Sequence, residues 1–181
     1  LILRHRFEEE IAEQQTPPDL RIDFRKKIAG LQKENNVLRG KLNQITGVMA
    51  EHQFATALRS RKRFKLCEFF QSKSDLFDRA VNIQDVRMKI FIQREDGKNL
   101  ELDLIAESND DSVLLVEIKK RKAKTGINDI EDFLEKMELY KSLNPEQIVF
   151  AGFLSLGGFT DEALQMCEQN CIGWAEGFRY F

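Results

Sequence analysis

The chain has few of the residues that would crosslink it, carry it through a membrane or make it strongly basic. Its 181 residues include three cysteines, three prolines, one tryptophan and two histidines. Cys67 stands alone, Cys167 and Cys171 are four apart, and His5 and His52 lie far from them in sequence. That is neither zinc-finger spacing nor an even disulfide set. Free, mostly buried thiols in a reducing compartment are expected, which points to the cytoplasm. No apolar run approaches the ~18–20 residues that cross a bilayer, so no membrane partner is expected. Leu1-Ile2-Leu3 runs at once into Arg4-His5-Arg6, which is no secretory core, and the sequence starts without Met. A Gly-rich phosphate loop is missing, and neither Gly157-Gly158 nor the Cys pair has a catalytic partner nearby in sequence. With 28 basic and 30 acidic residues the net charge is −2. A bulk polycation is excluded, and only local basic patches are left to bind nucleic acid.

Apolar residues make up 42% and charged residues 32%. The chain can therefore bury a core of one ordinary domain with a helical extension. A division falls near residue 50, with residues 1–49 a helical segment and 50–181 an α/β domain. The first fifty residues carry nine basic and seven acidic groups, and the remainder nineteen and twenty-three. Residues 3–15 read as a short helix with Leu3, Phe7 and Ile11 on one face. Thr16-Pro17-Pro18-Asp19 then caps and opens another.

From Phe24 the apolar steps alternate four and three. Ile28, Asn35, Leu42 and Met49 take one seam position of a heptad, and Phe24, Leu31, Leu38 and Ile45 take the other. Asn35 is the one polar residue on the seam, where a buried Asn commonly fixes a two-stranded register. Glu34 and Arg39 would meet across a parallel pair. A homodimer through this helix is expected; the alternative is a helix that packs the stripe on its own domain. Gly30, Gly40 and Gly47 weaken the helix but avoid the seam.

The helix is expected to continue to residue 60, with Ala50, Phe54, Ala57 and Leu58 on one face. Residues 66–80 give no clear signal. Period two then marks strands over 86–93, 100–106 and 113–119, with a turn at 95–99. A helix over 127–140, a strand over 147–156, a helix from Thr160 to near Gly173 and a strand over 174–181 follow. From residue 50 the order is helix, three strands, helix, strand, helix, strand. Trp174 reads as core.

Two strands carry charges among apolar residues. Leu100, Leu102 and Leu104 share one face, which leaves Glu101 and Asp103 on the other, while Glu117 and Lys119 share a face of the third strand. If 108–112 form the turn, paired residues sum to 220, placing Asp103 opposite Glu117 and Glu101 opposite Lys119. Directly opposed Cβ atoms are ~4.5–5.5 Å apart, so the two carboxylates repel unless a proton or cation joins them. A divalent ion such as Mg²⁺ meets that need, and a one-residue slip would destroy the site. A cross-strand salt bridge from Lys119 to Asp103 or Glu101 on a solvated face is the structural alternative.

Glu101-Leu-Asp103-Leu, with thirteen residues between Asp103 and Glu117, and then Val-Glu117-Ile-Lys119 resemble the PD-(D/E)XK nuclease superfamily. The resemblance spans roughly residues 45–156. It implies an αβββαβ restriction-endonuclease-like core and Mg²⁺, with Mn²⁺ able to substitute. It also implies that Asp103, Glu117 and the backbone carbonyl of Ile118 are ligands and that Lys119 is the water-positioning base. Resolvase-like members add a Glu from the first core helix; Glu51 stands at that place and reads equally as a surface acid. Some members carry Gln-xxx-Tyr after the ExK strand. Here Lys136 replaces the Gln and Tyr140 fits, as a nucleic-acid contact or as packing. No Pro precedes Asp103.

Two basic clusters, Arg59-Ser-Arg61-Lys62-Arg63-Phe-Lys65 and Lys119-Lys120-Arg121-Lys122-Ala-Lys124, would bind a phosphodiester backbone without reading sequence. The expected function is a Mg²⁺-dependent nuclease acting on DNA. The alternative is an inactive nucleic-acid-binding or assembly module on the same fold, dimerised by its coiled coil.

Overall fold

The structure, a computed structural model, describes residues 18–94, 97 and 99–177. The predicted helix over 3–15 and the Thr16 cap lie outside them, as do most of the turn at 95–99 and the last residues of the predicted final strand. The chain forms two compact units, Leu1–Gln44 and Ile45–Phe181. Helix α1, Pro18–Ser60, begins in the first and ends in the second. Pro at its head is tolerated because the first turn has no intrahelical acceptor for an N–H.

The described part of the first unit is α1 alone. Its seam is exposed, from 52% at Ile28 to 65% at Leu38, with Phe24 and Leu31 between.

The second unit is a mixed α/β structure around a curled six-stranded sheet. Its strands are β1 (Arg63–Lys65), β2 (Ala80–Gln93), β3 (Asn99–Ser108), β4 (Ser112–Lys119), β5 (Ile148–Ser155) and β6 (Ile172–Glu176), and they lie side by side in that order. β1 to β4 pair antiparallel, and β4, β5 and β6 pair parallel. Helix α2, Ile127–Leu143, makes the crossover from β4 to β5, and α3, Asp161–Gln169, the one from β5 to β6. Such crossovers cover a sheet face, so β4 is apolar and buried almost throughout.

One core joins Phe54, Ala55 and Leu58 of α1 to Phe64, Phe69, Phe70 and Phe77 and to Leu104, Leu114, Val116 and Ile118 of the sheet. Residues 66–80, silent in the sequence, supply part of this layer through two short 3-10 turns, Leu66–Glu68 and Asp75–Asp78. The second core sets Ile130, Phe133, Met137 and Tyr140 of α2 and Ala163 and Cys167 of α3 against Val113, Leu115 and Phe153. The Phe70 ring lies where a Cβ on Gly152 would stand, so β5 needs glycine there.

Three expectations need correction. β1 is an additional strand within the first basic cluster. β2 starts at Ala80, six residues earlier than expected. The leucines of β3 do not share one face: Leu104 packs in the first core and Leu102 in the second. The reason lies across the ladder. Met88↔Leu104 and Ile90↔Leu102 pair, but Lys89 between them has φ 53°, and the left-handed residue interrupts the pairing opposite Asp103.

Thiol burial differs too: Cys167 is buried, while Cys67 and Cys171 are exposed, and all three are free. Trp174 is half-buried against the second core. No helix among the described residues is long and apolar enough to cross a membrane.

Candidate functional site

The β3–β4 register puts the acids together. Leu104↔Val116, Ile105↔Leu115, Ala106↔Leu114 and Glu107↔Val113 are paired, each summing to 220 as the sequence predicts. The turn is shorter than expected, residues 109–111, with Asp111 in the left-handed region at φ 57°. Asp103 and Glu117 lie one step beyond the last paired residues. There the Asp103 carboxylate substitutes for a ladder acceptor: the Ile118 N–H donates to its Oδ2 at 2.7 Å.

Glu117 is 3% exposed. Lys119 Nζ donates to its Oε1 at 2.9 Å and Lys136 Nζ to its Oε2 at 2.8 Å. Glu51 is 1% exposed on α1. Lys120 pairs with its Oε1, and Lys89 Nζ stands 3.9 Å from its Oε2. Among the described residues that Oε2 is a buried side-chain oxygen with no hydrogen-bond partner. Lys119 thus bridges to Glu117, not to Asp103 or Glu101 as the salt-bridge alternative had it. Glu101 is exposed and pairs with Phe91 of β2.

The electrostatics single out Asp103. Burial, and then the charge of Glu117, push its carboxyl up to about 6; the Ile118 N–H and Lys136 pull the other way, and Glu51 adds to the rise. Burial disfavours the charged form of Lys119, but the charge and hydrogen bond of Glu117 outweigh it and hold the ammonium above its usual range. Lys119 is therefore a proton donor in a hydrogen bond, not a free base. Among the described residues no three His, Cys, Asp or Glu side chains gather closely enough to hold a metal by themselves. The acids here are a pair with a third contributing charge, interleaved with lysines.

Lys136, which the sequence offers only as a departure from Gln, is a further member of the site. The signal was available, because Lys136 stands four residues before Tyr140 and three after Phe133, both on the buried face of α2. Tyr140 is not retained as a nucleic-acid contact. It is 7% exposed in the second core, and its hydroxyl donates to Gln147 Oε1 at 2.9 Å.

The basic clusters divide. Arg61 pairs with Glu68 at 3.4 Å and lies over the Phe69 ring, Lys120 is held by Glu51, and Arg121 pairs with Asp129 at the start of α2. Lys62, Arg63, Lys122 and Lys124 are exposed. The loop carrying the second pair is fixed from beneath. A Cβ on Gly157 would collide with the carbonyls of Arg121, Lys122 and Ala123, and buried Thr125 donates to Ser155 Oγ at 2.8 Å.

No family model matches the chain. No curated protein matches it either. Among solved structures it is similar to AF1548, a protein of unknown function, at 14% identity and TM-score 0.42, over 50% of this chain and 47% of that one. A repair endonuclease from Pyrococcus abyssi gives 15% identity and TM-score 0.37, over 50% and 38%. EndoMS in complex with double-stranded DNA gives 11% and 0.37, over 51% and 37%. The likeness spans less than half the length of each of these proteins.

Proposed function

We propose that this chain is a divalent-metal-dependent nuclease on a restriction-endonuclease-like core, hydrolysing phosphodiester bonds in DNA. One observation carries the reading: Asp103 and Glu117 come together just past the end of the β3–β4 ladder, with Lys119 bonded to Glu117. The order α1, β1, β2, β3, β4, α2, β5, with the short β1 added at the edge of the sheet beside β2, supports the core.

Asp103, Glu117 and the Ile118 carbonyl would hold magnesium, with manganese able to replace it, and Glu51 would add charge. Two features fit such an ion. Asp103 is held high by burial and then by the charge of Glu117, a cost that a cation relieves, and among the described residues Glu51 keeps a buried oxygen without a hydrogen-bond partner. When bound, the ion supplies Lewis-acid stabilisation and a more acidic water. The chain's own groups do the rest. Lys119, as an ammonium, orients the attacking water and stabilises negative charge growing on phosphate oxygen. Lys136 fixes the other oxygen of Glu117, so that carboxylate cannot rotate away. Lys62, Arg63, Lys122 and Lys124 contact backbone phosphates, which gives salt-dependent affinity with no sequence readout.

The competing reading is a binding or assembly module without catalysis. It draws on the lysines that already neutralise Glu117 and Glu51. The two are separated by incubating the protein with single-stranded, duplex and branched DNA, and with RNA, in Mg²⁺ or Mn²⁺. Cleavage by the wild type that Lys119→Ala lacks is the expected result. Equal cutting by both proteins, or binding without cutting on every substrate, removes the nuclease assignment.

A further inference from the structure

We infer that α1 pairs two copies of this chain as a parallel, in-register, two-stranded coiled coil. The inference is independent of the nuclease reading. Phe24, Ile28, Leu31, Leu38, Ile45 and Met49 follow the heptad, and each is more than half exposed on the single chain. Gly30 and Gly40 lie off this seam with open space around them. They lower the intrinsic stability of the helix, so the exposed stretch relies on pairing to persist.

Three features select a second copy as the occupant, and a parallel one. Asn35 sits on the seam; in a parallel, in-register pair it faces its own counterpart and the two amides bond to each other. Antiparallel pairing would set it against an apolar side chain, with its polar atoms unanswered. Glu34 and Arg39 occupy flanking positions that meet across a parallel pair, Glu34 of one copy beside Arg39 of the other, and symmetry makes the contact twice. The preceding flank matches Lys27 with Gln32, so no like charges oppose there. An unrelated partner would have no need of charges that complement each other within one sequence.

Sedimentation equilibrium of the full chain at micromolar concentration tests this. The wild type should run as a dimer, and Leu31→Lys with Leu38→Lys as a monomer with an unchanged far-ultraviolet spectrum from the sheet. Because two seam lysines could also unwind the helix, a charge exchange is the second arm. Glu34→Arg alone should weaken association several-fold, and adding Arg39→Glu should restore it. Asn35→Cys should crosslink on mild oxidation more than the wild type does. A monomeric wild type, a trimer or tetramer, a dimer that survives both lysines, or a charge exchange that restores nothing would overturn the inference.

Discussion

The two units invert the usual rule in opposite ways. The helical unit keeps apolar side chains outside, and the sheet unit keeps charges inside. Leu38 is 65% exposed, while Glu51, on the same helix, is 1% exposed. Exposed apolar stripes are found where another surface covers them, and buried charges persist where they are paired or bind something. The difference lies in what each departure costs. The stripe weighs on a lone chain in solution and is relieved by association. The acids weigh on folding itself, because Asp103 must ionise beside Glu117 and Glu51. Only the second departure should therefore show in the stability of the sheet.

Substitutions in the two regions should separate accordingly. The largest effect is expected on cleavage: Lys119→Ala should lower the rate on duplex DNA with Mg²⁺ by about a hundredfold or more, in a gel assay, with no loss of fold. On stability, Phe54→Ala should cost about 3–5 kcal/mol in urea melts, because Phe54 is fully buried between Phe69 and Phe70.

Asp103→Asn should act in the opposite direction. The folded carboxyl titrates near 6 and the unfolded one near its ordinary value, so the folded state binds the proton more tightly. Its contribution is fully present below the unfolded value and is lost as pH rises through about 6. Asn keeps an acceptor for the Ile118 N–H and has no charge to bury. The variant should gain up to about 3 kcal/mol in urea melts at about pH 8 and almost nothing at about pH 3. A variant less stable than the wild type at the higher pH would mean that the lysines fully compensate the acid. The smallest effect belongs to the stripe: Leu38→Ala should change the melt of a dilute sample by less than about 0.5 kcal/mol. A loss as large as that of Phe54→Ala would erase the contrast.

The parts legible in the sequence were those that local periodicity writes. The β3–β4 register followed from alternation and turn position, and it brought Asp103 to Glu117 with the pair sum intact. The long helix was equally plain from Phe24 onward. What was not legible depends on contacts between distant segments. Spacing puts Lys136 beside the buried face of α2, but that it meets Glu117 there depends on α2 crossing over β4. Lys89 adopts a left-handed backbone within a run that reads as an unbroken strand, and the separation of Leu102 from Leu104 follows from it. Residues 66–80 lack periodicity because their aromatics pack from 3-10 turns, although they line the core. Tyr140 matched a motif position yet packs inward, since spacing along a helix does not say which side meets the sheet.

Calorimetric titration of Mn²⁺ into the full chain tests the central claim that Asp103 and Glu117 form a cation site. Binding should saturate for the wild type at about pH 8, weaken as the carboxyl protonates below about pH 6, and vanish in Asp103→Asn. Equal uptake by Asp103→Asn, or no uptake by the folded wild type even with DNA present, would contradict it.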